Sequence, residues 1–104
     1  MTTSRDTDLI FMTTATAKPG LEGEIHEALS NVARAGRAQA GCVDYRVLST
    51  AEDPAVTVNV ERWSSRVDRD AFLAGAAVKE FASAVAGAFA GPPRPLEYTV
   101  LHEA

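Results

Sequence analysis

Ala55-Val56-Thr57-Val58-Asn59-Val60-Glu61-Arg62-Trp63 alternates strictly, with Val56, Val58 and Val60 on one side and Thr57, Asn59, Glu61 and Trp63 on the other. A period of two rich in β-branched residues reads as a strand. Side chains two apart on a strand share a face. That face therefore gathers an amide, a carboxylate and the chain's only tryptophan. Such a set is odd for simple packing, and it predicts a small pocket lined with hydrogen-bonding groups. Ser64-Ser65-Arg66-Val67-Asp68 follows at once. Ser65 with an acid three residues on is a capping-box signature that opens a helix.

Working upstream, Ala51-Glu52-Asp53-Pro54 is a turn signal, and Val43-Asp44-Tyr45-Arg46-Val47-Leu48 before it is a second alternating run, so the two strands form a hairpin. Ala40-Gly41-Cys42 leads into it. Before that, Leu21, Ile25, Leu29, Val32 and Gly36 recur at helical spacing. Glu22, Glu24 and Glu27 crowd the start of this helix and Arg34 and Arg37 its end, as the helix dipole favours. The first strand is Asp8 to Ala17, apolar on both faces, and it ends at Lys18-Pro19-Gly20. Residues 1–7 are polar and read as a loose tail, leaving 8–104 as a single domain. Downstream, the helix opened by Ser65 is expected to carry Val67, Ala71 and Phe72, to be interrupted at Gly75, and to resume through Val78, Phe81, Val85 and Phe89 until Gly91-Pro92-Pro93 stops it. Leu96 to Leu101 reads as the last strand.

The order is β-α-β-β-α-β, which gives the α+β, ferredoxin-like arrangement of an antiparallel sheet with two helices on one face. Two helices cover only one face, yet the strands carry apolar residues on both. The valines oppose Trp63, and Leu9 and Phe11 oppose Ile10 and Met12. A large bare apolar face is unusual for a monomer, so a homodimer with its sheets packed face to face is expected.

Composition narrows the function. The chain has 104 residues and a net charge of −4, and its ten basic residues are scattered, which argues against a nucleic-acid surface. No apolar run approaches a membrane span and no signal peptide is evident, so a soluble cytoplasmic protein is the expectation. Cys42 is the only cysteine, and nothing around it resembles a metal site. With no Gly-rich phosphate loop and no cluster of ligand spacing, no flavin, haem or metal is expected.

Three stretches carry a resemblance: Ala17-Lys18-Pro19-Gly20, Ala40-Gly41-Cys42, and Glu61-Arg62-Trp63-Ser64-Ser65-Arg66 with its continuation Asp70-Ala71-Phe72-Leu73-Ala74 to Val78-Lys79-Glu80-Phe81. Over about residues 8–102 the chain resembles the antibiotic biosynthesis monooxygenase family of dimeric α+β barrels. The resemblance implies a homodimer and, among its polyketide oxygenases, a cavity lined by an asparagine and a tryptophan four residues apart, the type and spacing of Asn59 and Trp63. It also implies a cofactor-independent monooxygenase that takes a small aromatic substrate, an anthrone or hydroquinone, and O₂ to a quinone. Family members often carry histidines where this chain has Phe72 and Ala77, so contacts made by those histidines do not transfer. Haem degradation, which needs an axial histidine on the second helix, ranks last. The competing class is a non-catalytic, isomerase-type or cyclase-type dimer that binds a small hydrophobic molecule without using O₂.

The candidate catalytic residues are Asn59 and Trp63, each a hydrogen-bond donor to a developing oxyanion or peroxide. The alternative for the pair is that Asn59 satisfies a nearby backbone group and Trp63 fills the end of the core. Phe72, Phe81, Tyr45 and His26 are candidate substrate contacts. The two phenylalanines are core by default, and Tyr45 is equally an amphipathic sheet residue. His26, at the edge of the helical stripe, becomes a general base only if it turns inward. Glu61 is expected to pair with an arginine, either among the neighbours of Arg62 or Arg46 across the hairpin, rather than to act as a base.

Overall fold

Four strands and three helices follow one another as β1 (Leu9–Thr16), α1 (Glu22–Arg37), β2 (Cys42–Ser49), β3 (Val56–Trp63), α2 (Arg66–Leu73), α3 (Ala76–Ala84) and β4 (Arg94–Tyr98) in the computed structural model, which describes residues 8–104. The expectation of a loose tail at 1–7 lies outside the described residues. The strands form one antiparallel sheet in the order β2-β3-β1-β4. This is the ferredoxin-like α+β fold, with the second helical segment in two pieces.

The alternation of β3 sets the layers. Thr57, Glu61 and Trp63 are buried, while Val56, Val58 and Val60 are half-buried on the other face. Register places Glu61 opposite Phe11 on β1 and Tyr45 on β2, so these three share the helix-facing side. Ile25, Leu29 and Val32 of α1 meet Phe11, Trp63 and Phe72 in the core. The β2–β3 turn is held by Thr50, whose Oγ1 donates to the Asp53 carbonyl at 2.7 Å and accepts from the Asp53 N–H at 3.1 Å.

Two glycines are fixed by contact. Gly36 lies where a Cβ would come within 2.6 Å of the Tyr45 ring, so α1 meets β2 only because the side chain is missing. Gly41 has φ +83° and would drive a Cβ into the Asp68 side chain. Its carbonyl accepts the Ser64 N–H at 2.8 Å, tying the start of β2 to the end of β3. Gly36→Ala is expected to cost about 1–3 kcal/mol by overpacking and to push Tyr45 toward the sheet's helix-side cavity. Chemical denaturation of the two proteins side by side measures it, and an unchanged midpoint would show that Tyr45 yields freely.

Two boundaries differ from expectation. Ser65 does cap α2, accepting the Asp68 N–H at 3.2 Å. The helix, however, ends at Leu73, because Gly75 is extended (φ −87°, ψ 177°) and restarts the chain as α3. Val67 and Ala71, expected on the apolar side, are exposed; α2 is so short that Phe72 alone is buried from it. Nor does α3 reach Phe89. It stops at Ala84, Gly87 adopts φ +75°, and the chain pairs with the end of β1 instead, Ala90 N–H to Thr16 carbonyl at 2.8 Å and Lys18 N–H to Ala88 carbonyl at 2.9 Å. These backbone bonds satisfy groups that a longer helix would have satisfied internally. The last strand is Arg94–Tyr98 rather than Leu96–Leu101, and Pro95 is tolerated because β4 is an edge.

The face away from the helices carries Ile10, Met12, Val56, Val58 and Val60, with Leu48 and Tyr98 49% and 42% exposed. One end of it is closed by Arg62, which donates to Asp8 at 2.9 Å and to Glu103 at 2.8 Å. No helix among the described residues is long and apolar enough to cross a membrane.

Candidate functional site

Between the sheet and the two short helices lies a cavity of about 580 Å³, within the range of small-molecule sites. Its floor is Phe11 and Thr13 of β1, Tyr45 of β2, and Asn59 and Glu61 of β3. Arg69, Phe72 and Leu73 of α2 and Val78 and Phe81 of α3 form the roof. Pro93, Pro95 and Glu97, in and before β4, form the side wall. A recess of about 50 Å³ continues past Asn59, Phe81 and Pro93 toward Ala15 and Leu29. The break at Gly75 matters here, since it lets α2 and α3 offer side chains to the same space from two directions.

The walls are mostly apolar, and the polar groups are few and specific. The Oδ1 of Asn59 is buried and has no hydrogen-bond partner among the described residues. Glu61, 4% exposed, accepts two bonds on one oxygen: Trp63 Nε1–H at 3.0 Å and Arg69 Nε–H at 3.2 Å, both to Oε1. The Arg69 guanidinium also lies 3.4 Å from the centre of the Phe11 ring, a cation–π contact in a dry setting. Burial pushes the Tyr45 phenol well above its usual range and the Glu61 carboxylate pushes it further, while the Arg69 guanidinium and, less, a hydrogen bond with the Asn59 side chain offset a part. Tyr45 is thus a neutral hydroxyl at physiological pH. At the rim, Arg66 donates to Glu97 at 2.6 Å, an exposed pair that links α2 to β4.

Of the residues singled out in the sequence, Asn59, Tyr45, Phe72 and Phe81 come together around this cavity. Trp63 does not line it. Its side chain is fully buried beside the floor, at the end of the sheet, its ring centre 5.7 Å from that of Phe72 and its N–H committed to Glu61. His26 is turned elsewhere; its Nε2–H donates to the Pro54 carbonyl at 2.9 Å, beside a separate recess with Ser30, Val47 and Thr57. Glu61 pairs with Arg69 of α2 rather than with Arg46, which is bound to Asp44 at 2.7 Å. Burial pushes the Cys42 thiol up to about 11, so it stays protonated. Arg69 is the residue that the sequence did not single out. A signal was present: it stands four residues past the capping serine and three before Phe72, the one apolar anchor of α2, hence on the face that looks at the sheet.

The model of the antibiotic biosynthesis monooxygenase family matches residues 9–84, almost three quarters of the chain. The chain belongs to this family. Solved structures of similar shape include a protein from Nitrosomonas europaea assigned to the same family by name (TM-score 0.85, 22% identity, 90% of this chain and 99% of that one). A protein from Pseudomonas aeruginosa superposes with TM-score 0.85 at 19% identity, over 91% of this chain and 95% of that one. One from Mycobacterium tuberculosis does so with TM-score 0.84 at 20% identity, over 93% and 98%. At these identities the likeness is one of fold. No curated protein matches the chain. Within the family match fall β1 to α3, and with them all of the cavity floor and roof; the side wall from β4 lies beyond it.

Proposed function

We propose that this family member is a cofactor-independent monooxygenase that oxidises a planar phenol, an anthrone or hydroquinone type of molecule, with O₂, acting as a cytoplasmic homodimer. The observation that supports it best is the unpartnered Asn59 Oδ1 in an apolar cavity. A buried acceptor without a donor costs about 1–3 kcal/mol, and a ligand hydroxyl would supply the donor. The aromatic and aliphatic walls suit a flat ring system, and the volume admits three fused rings.

Such a substrate does the difficult part itself. Loss of a proton gives a delocalised anion, which can pass an electron to O₂ and then combine to form a peroxide. For an anthrone the balance is R₂CH₂ + O₂ → R₂C=O + H₂O: two C–H bonds break, the carbon is oxidised, and O₂ is reduced to the carbonyl oxygen and water. The protein's task is to bind the flat molecule, favour its anion and exclude solvent. Asn59 and the neutral Tyr45 hydroxyl are the polar groups poised against the ligand's oxygens. Oxygen uptake with a panel of anthrones and hydroquinones tests this reading. Stoichiometric uptake with quinone formation is expected, and binding without uptake would favour the competing reading of a binding or isomerising dimer.

The homodimer rests on the bare valine face. An interface on the order of 2,000 Å² is expected, with the Ile10–Met12 and Val56–Val60 faces packed sheet to sheet. Val58→Asp puts a charge at its centre and is expected to give a monomer or an unfolded chain. Light scattering at micromolar protein checks this, and a wild-type monomer mass would refute it.

A further inference from the structure

We infer that Glu61 is the general base of this cavity, taking a proton on Oε2 from the bound C–H or O–H acid, with Arg69 beside it to receive the oxyanion. This rests on reading the cavity as the place where a planar phenol or its keto form is ionised. The asymmetry of the carboxylate carries it. A buried ion pair kept for structure alone gains most from a bidentate fork, two N–H groups on two oxygens. Here Arg69 uses only Nε, and it shares Oε1 with the Trp63 indole. Among the described residues nothing donates to Oε2, although Glu61 is 4% exposed and lines the cavity.

The same geometry leaves the terminal Arg69 nitrogens without a partner among the described residues, while Arg69 lines the same cavity. A proton acceptor and a fixed cationic donor therefore stand next to each other in a largely apolar space. That is the requirement for removing a proton next to a carbonyl: the base takes the proton while a donor binds the oxygen that receives the charge. In the step, a C–H bond of the substrate breaks and its electron pair moves into the ring system and onto the oxygen. The proton becomes the O–H of Glu61, and nothing is oxidised or reduced. Glu61 later returns the proton, to carbon if no O₂ is present or to the peroxide if O₂ has reacted. Trp63, which does not line the cavity, is a positioning residue: its N–H holds Oε1 so that Oε2 points outward.

Because proton removal precedes oxygen, it can be read without oxygen. Anthrone in deuterated buffer under nitrogen exchanges its methylene protons, and proton NMR follows the loss of that signal. The protein is expected to accelerate this exchange. Glu61→Gln, which still accepts from Trp63 and Arg69 but takes no proton, is expected to lower the protein-catalysed rate about 10²–10⁴-fold with anthraquinone still bound. It also lowers the melting temperature, because Arg69 loses its buried counter-charge, so the rates are compared at a temperature where both proteins are folded. Glu61→Asp draws the carboxylate back by one methylene and should exchange at a rate between the two, roughly 10²-fold below wild type. Exchange by Glu61→Gln at the wild-type rate, or no acceleration by the wild-type protein, would overturn the assignment. If Glu61→Gln does not fold, Glu61→Asp decides: exchange as fast as wild type would overturn it. The oxygenase reading is scored separately in air. A wild-type protein that exchanges anthrone protons but consumes no O₂ keeps the base and loses the oxygenase, and undiminished O₂ uptake by Glu61→Gln does the reverse.

Discussion

Trp63→Ala is expected to lower stability by about 3–5 kcal/mol, the usual cost of emptying a fully buried aromatic site. Trp63 has no exposed surface and sits where β3, α2 and the start of β2 meet, against Phe72. Domains of this size are stable by only about 5–15 kcal/mol, so the loss is a large share of the total. The melting temperature should fall on the order of 15 °C or more, at 4–8 °C per kcal/mol, with both proteins compared at one concentration in case of dimer dissociation. Trp63→Phe separates packing from hydrogen bonding. It keeps a ring beside Phe72 but takes the indole N–H from Glu61 Oε1, leaving a buried carboxylate with Arg69 as its remaining donor. A loss of about 1–3 kcal/mol is expected from that bond. Urea denaturation of both variants gives the two numbers. A Trp63→Phe midpoint equal to wild type would show that the indole bond contributes nothing and that Arg69 alone holds the carboxylate.

The fold was legible because its signals are local. The valine alternation, the Ser65 cap and the Leu21-to-Gly36 stripe each depend on residues within one element, and each lies where the pattern put it. What was not legible is tertiary. Whether α3 continues to Phe89 depends on the end of β1 offering a carbonyl to Ala90, and no periodicity in the 76–89 segment encodes that. The site divides in the same way. Period two placed Asn59, Glu61 and Trp63 on one face, and all three do look toward the helices. Depth along that face is another matter. Trp63 pairs with Cys42 and Leu9 at the end of the sheet and is covered by Phe72, whereas Asn59 lies two same-face pairs further in, on the cavity's floor. The partner of Glu61 was misjudged because Arg46 is close in the hairpin but on the opposite face, its register mate being Val60. An arginine from a helix packed over the strand was required, and Arg69 supplies it.

Asn59→Leu is expected to raise stability while removing function, and this opposition distinguishes a ligand-facing amide from a structural one. In the wild-type protein the Asn59 Oδ1 is buried without a donor, at a cost of about 1–3 kcal/mol. Leucine has the same branched heavy-atom skeleton, though a larger volume, and carries no acceptor. It removes the unpaired Oδ1 along with the Asn59 contact to Tyr45, so the unliganded protein should unfold at a higher urea midpoint or, at worst, at the same one. If the amide meets the substrate's hydroxyl or its developing oxyanion, turnover should fall on the order of 10²–10³-fold. Binding of anthraquinone, which offers only acceptor oxygens, should change less than binding of a hydroquinone, which offers the hydroxyl that Oδ1 lacks. A structural asparagine behaves in the opposite way, because its replacement breaks bonds within the protein and lowers the midpoint. Measuring midpoint and oxygen uptake on one preparation therefore gives two readouts that must move in opposite directions. A variant that is less stable yet oxidises anthrone at the wild-type rate would remove Asn59 from the site and leave its chemistry to Glu61, Arg69 and Tyr45.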